Sequence, residues 1–155
     1  CTLGLGADAI VAAYFTQTRV VGIESSPIIA AIIKWGMRRF VSDISWLSEP
    51  ITRIQVYNSD HNMFLSQQKD NSFDVVYFDP MFRQPLLKSQ PLSPLRKLAD
   101  PRPLSNNTIQ QACRVARCRV VVKERGLGEE FKRLGIKKVL STSKDKVAYG
   151  IINTS

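Results

Sequence analysis

The order of apolar segments along the chain constrains its fold more than any other feature of the sequence. Short runs rich in β-branched residues alternate with segments of helical character, and the last two runs are separated by only a few polar residues. Alternation of this kind predicts a parallel sheet with helices on both faces, and the short final link predicts an antiparallel hairpin. The predicted strands are Cys1–Leu3, Arg19–Glu24, Arg53–Tyr57, Phe73–Phe78, Arg119–Lys123, Lys138–Thr142 and Val147–Ile152.

The segments between these strands predict the helices. Residues 9–15 are uninterruptedly apolar, which favours a buried helix. Ser26 is a candidate N-cap with Pro27 at the first helical position, so a helix is expected from Ile28 to about Val41. Residues 42–51 are expected to be irregular, with at most one helical turn. Further helices are predicted at Met63–Leu65, Asn106–Ala116 and Glu129–Leu134.

The charge of the chain is distributed unevenly. Residues 1–77 carry six Lys/Arg and seven Asp/Glu, whereas residues 78–155 carry sixteen and six. A one-sided positive field favours a polyanionic partner, most often nucleic acid. A basic surface that is simply solvated is the alternative.

Composition excludes several classes of protein. At 155 residues and 44% apolar content, the chain has the size and core of one globular domain. No run approaches 18 apolar residues and no signal peptide is visible, so a cytoplasmic protein with reduced thiols is expected. The three cysteines have neither zinc nor disulfide spacing, and His61 is the only histidine, so no metal site is predicted.

The stretch Phe73–Phe82 carries the first chemical signal. Its apolar run ends at Asp79-Pro80, because proline cannot donate to a strand ladder, and Phe82 follows. A carboxylate, a proline carbonyl and an aromatic ring therefore lie at the carboxyl end of a strand, where open α/β sheets bind ligands. Taken alone, Asp-Pro is equally typical of an ordinary turn.

Three other strand ends also carry candidate ligand-binding groups. Gly4 and Gly6 belong to a G-x-G-x-x-A pattern between a strand and a helix, where glycine lets the backbone approach a ligand. Glu24 ends the next strand and can accept hydrogen bonds from both hydroxyls of a ribose. Asp60 follows the third strand and can accept from an adenine amino group. The alternatives are a tight turn for the glycines, an arginine pair or helix cap for Glu24, and a helix cap for Asp60. One adenosine-containing ligand would explain all four strand ends together.

These motifs resemble those of class I S-adenosylmethionine (SAM)-dependent methyltransferases. The patterns T-x-G-x-G-x-D-A, E-x-S-P and D-P-M-[FY] begin here at Thr2, Glu24 and Asp79. Together they are similar to the bacterial family of the small-subunit ribosomal RNA guanine-N2 methyltransferase, and most similar to an uncharacterised bacterial branch of it. The resemblance implies a Rossmann-like three-layer sandwich whose mostly parallel seven-stranded sheet has the order 3-2-1-4-5-7-6. It also implies one methyltransferase domain over residues 1–155. The short first strand suggests a fragment that lacks the N-terminal part of a longer protein.

The resemblance further implies a cofactor, a substrate and roles for individual residues. The cofactor would be SAM, leaving S-adenosylhomocysteine, and the acceptor an exocyclic amine of an RNA nucleobase, with guanine N2 of ribosomal RNA the leading choice. Asp79 and Pro80 would hold the amine while Phe82 stacks on the base. The residues expected to bind the cofactor are Thr2, Gly4, Gly6, Asp8, Glu24, Ser25, Asp60, His61 and Asp79. Those expected to bind substrate phosphates are Arg83, Lys88, Arg96 and Lys97.

Two other functions remain open at this point. A nicotinamide-dependent oxidoreductase also fits the glycine pattern and Glu24, and a non-catalytic relic of a methyltransferase could still bind RNA through its basic half. For the remaining residues with chemical potential, structural roles are expected. Lys123 and Glu124 are interpreted first as an ion pair or solvated strand ends, and second as substrate contacts. Packing roles are expected for Trp35, Trp46, Cys113 and Cys118.

Overall fold

The computed structural model describes residues 1–40, 45–80, 98, 100–124, 129–141 and 147–154. Contacts divide the chain into two compact units. The first unit contains the described residues of Thr2–Asp60 and Leu87–Asp100, and the second contains Cys1 and the described residues of His61–Leu86 and Pro101–Ser155. Each unit is described by itself.

Helices and strands alternate along the described residues, as the sequence predicts. The first unit contains α1 (Ala7–Thr16), β1 (Val20–Glu24), α2 (Pro27–Arg39), α3 (Ser45–Thr52) and β2 (Ile54–Asn58). The second contains α4 (His61–Ser66), β3 (Phe73–Phe78), α5 (Asn106–Val115), β4 (Ala116–Glu124), α6 (Glu129–Arg133), β5 (Lys138–Ser141) and β6 (Ala148–Asn153).

The sheet of the first unit is the parallel pair β1-β2, which runs in register from Val20↔Ile54 to Glu24↔Asn58. Residues 1–3, predicted as a strand, are not in strand conformation, although the Leu3 amide donates to the Ile23 carbonyl at 2.8 Å. The Leu3 side chain lies against β1 at Gly22, where an added Cβ would be 2.7 Å from Leu3 Cδ1. Glycine in the middle of this strand therefore gives Leu3 room to pack.

Helix α2 begins as the sequence predicts. The Ser26 hydroxyl accepts from the amide of Ile29 at 3.4 Å, and Pro27 is the first helical residue. Capping satisfies one of the amides that a helix start leaves without a partner, and proline there loses no hydrogen bond. Ile29 and Ala30 are buried, which fixes the face of the helix that packs.

Two expectations in the first unit are wrong. Helix α1 is not buried, since Ala13 is its one buried residue and Phe15 is 77% exposed. Residues 45–52 form two turns of helix despite Pro50, whose ring is fully buried. Trp35 and Trp46 are 65% and 56% exposed, and Trp46 packs edge-to-face on Tyr14, with ring centroids 5.3 Å apart. Each of these helices is held by the few residues that pack on one of its faces. The number of apolar residues in a segment does not reveal which face that is.

The second unit contains a mixed four-stranded sheet in the order β3-β4-β6-β5. Strands β3 and β4 are parallel, while β6 is antiparallel to both β4 and β5. The predicted closing hairpin is thus confirmed, with Lys138 opposite Ile151 and Ser141 opposite Ala148. The pairs within each sheet are neighbours in the expected strand order, while the full seven-stranded order stays a prediction.

The core of the second unit lies on the buried face of this sheet. Phe78, Val120 and Val122 are at most 1% exposed and belong to one apolar cluster with Phe131 of α6. Phe131 packs against β6 at Gly150, where an added Cβ would be 2.8 Å from the ring. Helix α5 begins at the N-cap Ser105, whose hydroxyl accepts from the Thr108 amide at 3.0 Å. No helix in the described part of the chain is long and apolar enough to cross a membrane.

Candidate functional site

The glycine loop between Leu3 and α1 is a tight turn. Gly4 and Gly6 have φ of +51° and +83°, and the Gly6 amide donates to the Leu3 carbonyl at 2.9 Å. Gly6 also lies at the N-cap position of α1, and its carbonyl accepts from the Ile10 amide at 3.0 Å. Positive φ is strained for residues with a Cβ, so both positions favour glycine.

The two glycines differ in their surroundings. Gly6 is buried, and an added Cβ would lie 2.8 Å from the Met37 methyl carbon. Gly4 is exposed, and an added Cβ would meet nothing within 4 Å. Gly6 therefore packs the turn against α2, whereas the space beside Gly4 lets a ligand approach the backbone.

Glu24 connects this loop to the end of β1. The residue is only 6% exposed, and its Oε2 accepts from the Gly4 amide at 3.0 Å while Oε1 accepts from the Ser26 amide at 2.9 Å. Amide donors stabilise a buried carboxylate and fix its orientation. Each carboxylate oxygen has two lone pairs, so Glu24 keeps the capacity to accept ligand hydroxyls.

Asn58 is a structural residue of this region that the sequence interpretation missed. Its side-chain amide donates to the carbonyls of Glu24 at 2.9 Å and Ser25 at 3.1 Å, and the Ser59 amide also donates to Glu24 at 3.1 Å. These bonds join the carboxyl ends of β1 and β2, and Asp60 follows directly. An asparagine at the end of a strand, able to satisfy two carbonyls, was the signal available in the sequence.

The remaining predicted cofactor residues of the first unit surround the same loop in sequence. Thr2 precedes it and is half-buried. Asp8 lies in the first turn of α1, where the positive end of the helix dipole favours an acidic side chain. In the described first unit, the Gly4 amide thus bonds directly to the Glu24 carboxylate. The backbone carbonyls of Glu24 and Ser25 are bonded to the side chain of Asn58.

In the second unit, Asp79 pairs with Lys123. The Lys123 ammonium donates to Asp79 Oδ2 at 2.9 Å, and the two side chains are 17% and 27% exposed respectively. The sheet explains this ion pair, because Phe78 and Val122 are partners in the parallel β3-β4 ladder. Asp79 is the residue after Phe78, and Lys123 is the residue after Val122. Lys123 is therefore in an ion pair, although its partner Asp79 was not predicted from the sequence.

His61 and Phe78 meet at the same end of β3. Their rings are 6.1 Å apart and nearly perpendicular, in an edge-to-face arrangement. A side-chain hydrogen bond connects the start of α4 to α5. The side-chain Oδ1 of Asn62 accepts from the hydroxyl of fully buried Thr108 at 2.6 Å. Pro80 follows Asp79 and is half-buried. Several predicted substrate residues lie outside the described residues, namely Phe82, Arg83, Lys88, Arg96 and Lys97.

The cysteines show no sign of catalytic activation. Cys113 packs against the core of the second unit, and burial raises the pKa of its thiol, which disfavours the reactive thiolate. Cys118 is half-buried. In the described ranges, no three His, Cys, Asp or Glu side chains are grouped so that they could hold a metal ion.

The arrangement in the first unit suits a ligand that carries hydroxyl groups. An open glycine turn, a buried carboxylate and a strand end with an acidic residue are the groups that bind an adenosine in open α/β sheets. The second unit supplies a carboxylate and a proline carbonyl that can accept hydrogen bonds from an amine.

Comparisons with known proteins identify the class. A family model described as "Putative SAM-dependent methyltransferase" matches residues 1–147. The chain therefore belongs to the family of SAM-dependent methyltransferases, whose cofactor is SAM. The nicotinamide oxidoreductase considered from the glycine pattern is not supported by this match.

Three curated proteins are similar to this chain in sequence. The uncharacterised protein YpiP of Bacillus subtilis is 40% identical over 100% of this chain and 61% of its own length. Ribosomal RNA small subunit methyltransferase J of Coxiella burnetii is 32% identical over 79% of this chain and 47% of its length. The Shewanella sp. enzyme of the same name is 30% identical over 94% and 56% respectively. The chain thus spans about half to three fifths of these curated relatives.

Solved structures share the fold. A SAM-dependent methyltransferase from Neisseria gonorrhoeae superposes with a TM-score of 0.67 at 23% identity, covering 99% of this chain and 59% of that one. A second, from Aquifex aeolicus, gives a TM-score of 0.58 at 12% identity, with 97% and 78% covered. The α/β methyltransferase fold is therefore shown, at identities that say nothing of substrate.

Proposed function

We propose that this protein transfers the methyl group of SAM to an exocyclic amine of an RNA nucleobase. The observation that carries the proposal is the Asp79-Pro80 pair directly after strand β3, which supplies two hydrogen-bond acceptors in sequence. An exocyclic amine presents two N–H donors, so a carboxylate and a carbonyl match it in number and in kind. The N2 amine of guanine in ribosomal RNA is the leading acceptor.

The first unit would bind the cofactor. Glu24 would accept hydrogen bonds from the ribose hydroxyls, and the exposed turn at Gly4 would let the methionine part approach the backbone. Asp60 would accept from the adenine amine. We assign the other cofactor contacts to Thr2, Gly6, Asp8, Ser25 and His61, with Asp79 shared between cofactor and acceptor.

The chemistry demands positioning more than acid catalysis. The methyl group of SAM is bonded to a positive sulfur, so the departing thioether needs no proton, and the protein must align nitrogen, carbon and sulfur. The lone pair of an exocyclic amine is delocalised into the base. Asp79 and the Pro80 carbonyl would direct that electron density onto the nitrogen by accepting its two protons. Asp79 would take up the proton released after transfer.

RNA is the proposed substrate for two reasons. Two of the relatives are named as ribosomal RNA methyltransferases, and the basic residues of this chain are concentrated after residue 77. A target base must leave its helix to reach such a site, and Phe82 would stack on it. Arg83, Lys88, Arg96 and Lys97 would bind the flanking phosphates.

Replacement of Asp79 tests the amine mechanism. We expect Asp79→Asn to lower methyl transfer by about 10²–10⁴-fold, since the amide neither takes up a proton nor carries the negative charge. Binding of SAM, measured by calorimetry, should weaken far less than transfer, because Asp79 is only one of the proposed cofactor contacts. Transfer is measured with radiolabelled SAM on ribosomal RNA, followed by nucleoside analysis.

Asp74→Asn is the matched control. Asp74 lies on β3, the strand that ends just before Asp79. It is exposed and pairs with Arg117, so its replacement should leave transfer unchanged. Wild-type turnover in Asp79→Asn would refute the amine mechanism. A wild-type protein that binds SAM and RNA but methylates no nucleoside would favour the non-catalytic relic instead.

A further inference from the structure

The Lys123–Asp79 pair contains a residue whose part in the reaction neither the family nor the relatives' names specify. Lys123 Nζ lies 2.9 Å from Asp79 Oδ2, within the range of a charge-assisted hydrogen bond. Its side chain is more buried than that of Asp79, at 17% against 27% exposure. A lysine held in this way is not a solvated strand end.

The sheet fixes the backbone position from which the Lys123 side chain reaches Asp79. Lys123 belongs to β4, which pairs with β3 on one side and with β6 on the other, where Tyr149 is its partner. Strand β4 is therefore interior to the described sheet, and its backbone cannot shift without breaking two ladders. Asp79, by contrast, follows the last residue of β3 and has no ladder of its own in that sheet. The lysine is the fixed partner, and the carboxylate is the group being oriented.

We propose that Lys123 is a positioning residue, which holds the Asp79 carboxylate charged and in one orientation for the acceptor amine. The inference rests on the proposed function, since it assigns Asp79 to the amine. The ammonium occupies one of about four lone-pair positions of the carboxylate, so the group can still accept an N–H from a base. Lys123 contributes no bond-making step. It selects the rotamer of Asp79 and keeps the carboxylate ionised before transfer, the form that can accept a proton.

The pH dependence follows from the sign of the charge. A cation beside a carboxylate favours the ionised form, so Lys123 lowers the pKa of Asp79, and removing the cation raises that pKa. Other titratable groups at this end of the described sheet include Tyr77 on β3, Glu124 on β4 and Tyr149 on β6, with His61 of α4 beside Phe78. Because histidine side chains change charge in the same pH range as many reactions, a rate profile alone could not isolate Asp79.

The test therefore combines a direct titration with kinetics. The side-chain carboxyl carbon of Asp79 is followed by NMR against pH, and assigned from its loss in Asp79→Asn. We expect Lys123→Met, which keeps an unbranched chain but removes the charge, to raise the midpoint by at least one unit. Lys123→Arg should keep it near the wild-type value.

The kinetic arm separates positioning from binding. In Lys123→Met, kcat at pH 7 should fall at least tenfold while KM for SAM stays within about twofold, because Asp79 loses its orientation although it remains ionised at that pH. Lys137→Met controls for the loss of one positive charge, since Lys137 is exposed between α6 and β5, and it should leave both parameters unchanged. The Lys123→Arg variant should recover part of kcat.

Each outcome decides the inference. An unshifted Asp79 midpoint in Lys123→Met, or an unchanged kcat, would overturn it. A fall in SAM affinity matching the fall in kcat would also overturn it, because the lysine would then act on cofactor binding. If the wild-type protein transfers no methyl group to an amine, the proposed function fails, and the titration still decides whether Lys123 controls the charge of Asp79.

Discussion

Individual residues of the glycine loop and of β1 are connected by Glu24, which is both a structural and a candidate ligand-binding group. Its two carboxylate oxygens each accept from a backbone amide, one in the loop and one before α2. The carboxylate is thus oriented before any ligand arrives, which lowers the entropy that binding must cost. The sequence predicted the place of this residue at the strand end. It did not predict these partners, because they depend on how the turn folds back.

Replacing this carboxylate by an amide should weaken both roles. Glu24→Gln keeps the shape of the side chain, but its NH₂ group would face one of the two amide donors. We expect the free energy of unfolding to fall by about 1–3 kcal/mol, the cost of a buried group without its partner. The Kd for SAM should rise at least tenfold. Denaturant unfolding and calorimetry measure the two effects.

Glu49 offers a control for the loss of a negative charge. It is 61% exposed and pairs with Arg53 across one helical turn. Exposed pairs contribute at most about 1 kcal/mol, so Glu49→Gln should change stability little and SAM affinity not at all. Equal effects of the two substitutions would contradict the assigned role of Glu24.

Among the elements, α1 and α2 show why local sequence predicts starts of helices better than their buried faces. The Ser26-Pro27 start was predictable since capping depends on adjacent residues only. The exposure of Phe15 was not, because an unbroken apolar run has no periodicity to reveal which side packs. Helix α3 contains Pro50, a residue that predicts a break, yet burial of its ring outweighs the lost backbone hydrogen bond.

Two glycines associated with α1 and α2 should respond oppositely to alanine. Gly6 has φ of +83° at the start of α1, so Gly6→Ala should lower the unfolding free energy by about 1–2 kcal/mol. The Met37 methyl would have to move in addition. Gly36 lies inside α2 with nothing within 4 Å of an added Cβ, so Gly36→Ala should raise stability by up to about 1 kcal/mol.

Denaturant unfolding of both variants checks this pair. The m-value should stay constant, so that the midpoint alone reports the change. If both alanines shift the midpoint in the same direction, the backbone account of the glycine loop is wrong. Gly6→Ala should also weaken SAM binding, whereas Gly36→Ala should not.

For the whole molecule, the concentration of positive charge after residue 77 predicts how RNA binding depends on salt. The sequence indicates this partner only through charge, since the residues proposed to bind phosphates have no periodic spacing along the sequence. If Arg83, Lys88, Arg96 and Lys97 each neutralise one phosphate of single-stranded RNA, log K should fall against log salt with a slope of about −3. Between 50 and 200 mM salt the affinity would drop by about 50-fold.

Fluorescence anisotropy with a labelled RNA measures this slope. Replacing Arg96 and Lys97 together by glutamine should reduce its magnitude by about 1.4, two phosphates at 0.7 each. Lys34→Gln, on α2 in the first unit, is the control and should leave the slope unchanged. A slope that does not respond to the double replacement would exclude these two side chains from the phosphate contacts.

The position of β6 has a consequence for the biosynthesis of this protein. It lies between β4 and β5, and both precede it in the chain. During synthesis, β5 is therefore made before β6, the strand with which it pairs. The edge of β4 that pairs with β6 also lacks its partner until β6 has been made. Unpaired strand edges invite association with other chains. The nascent protein should therefore be most dependent on chaperones during the synthesis of its last described strands.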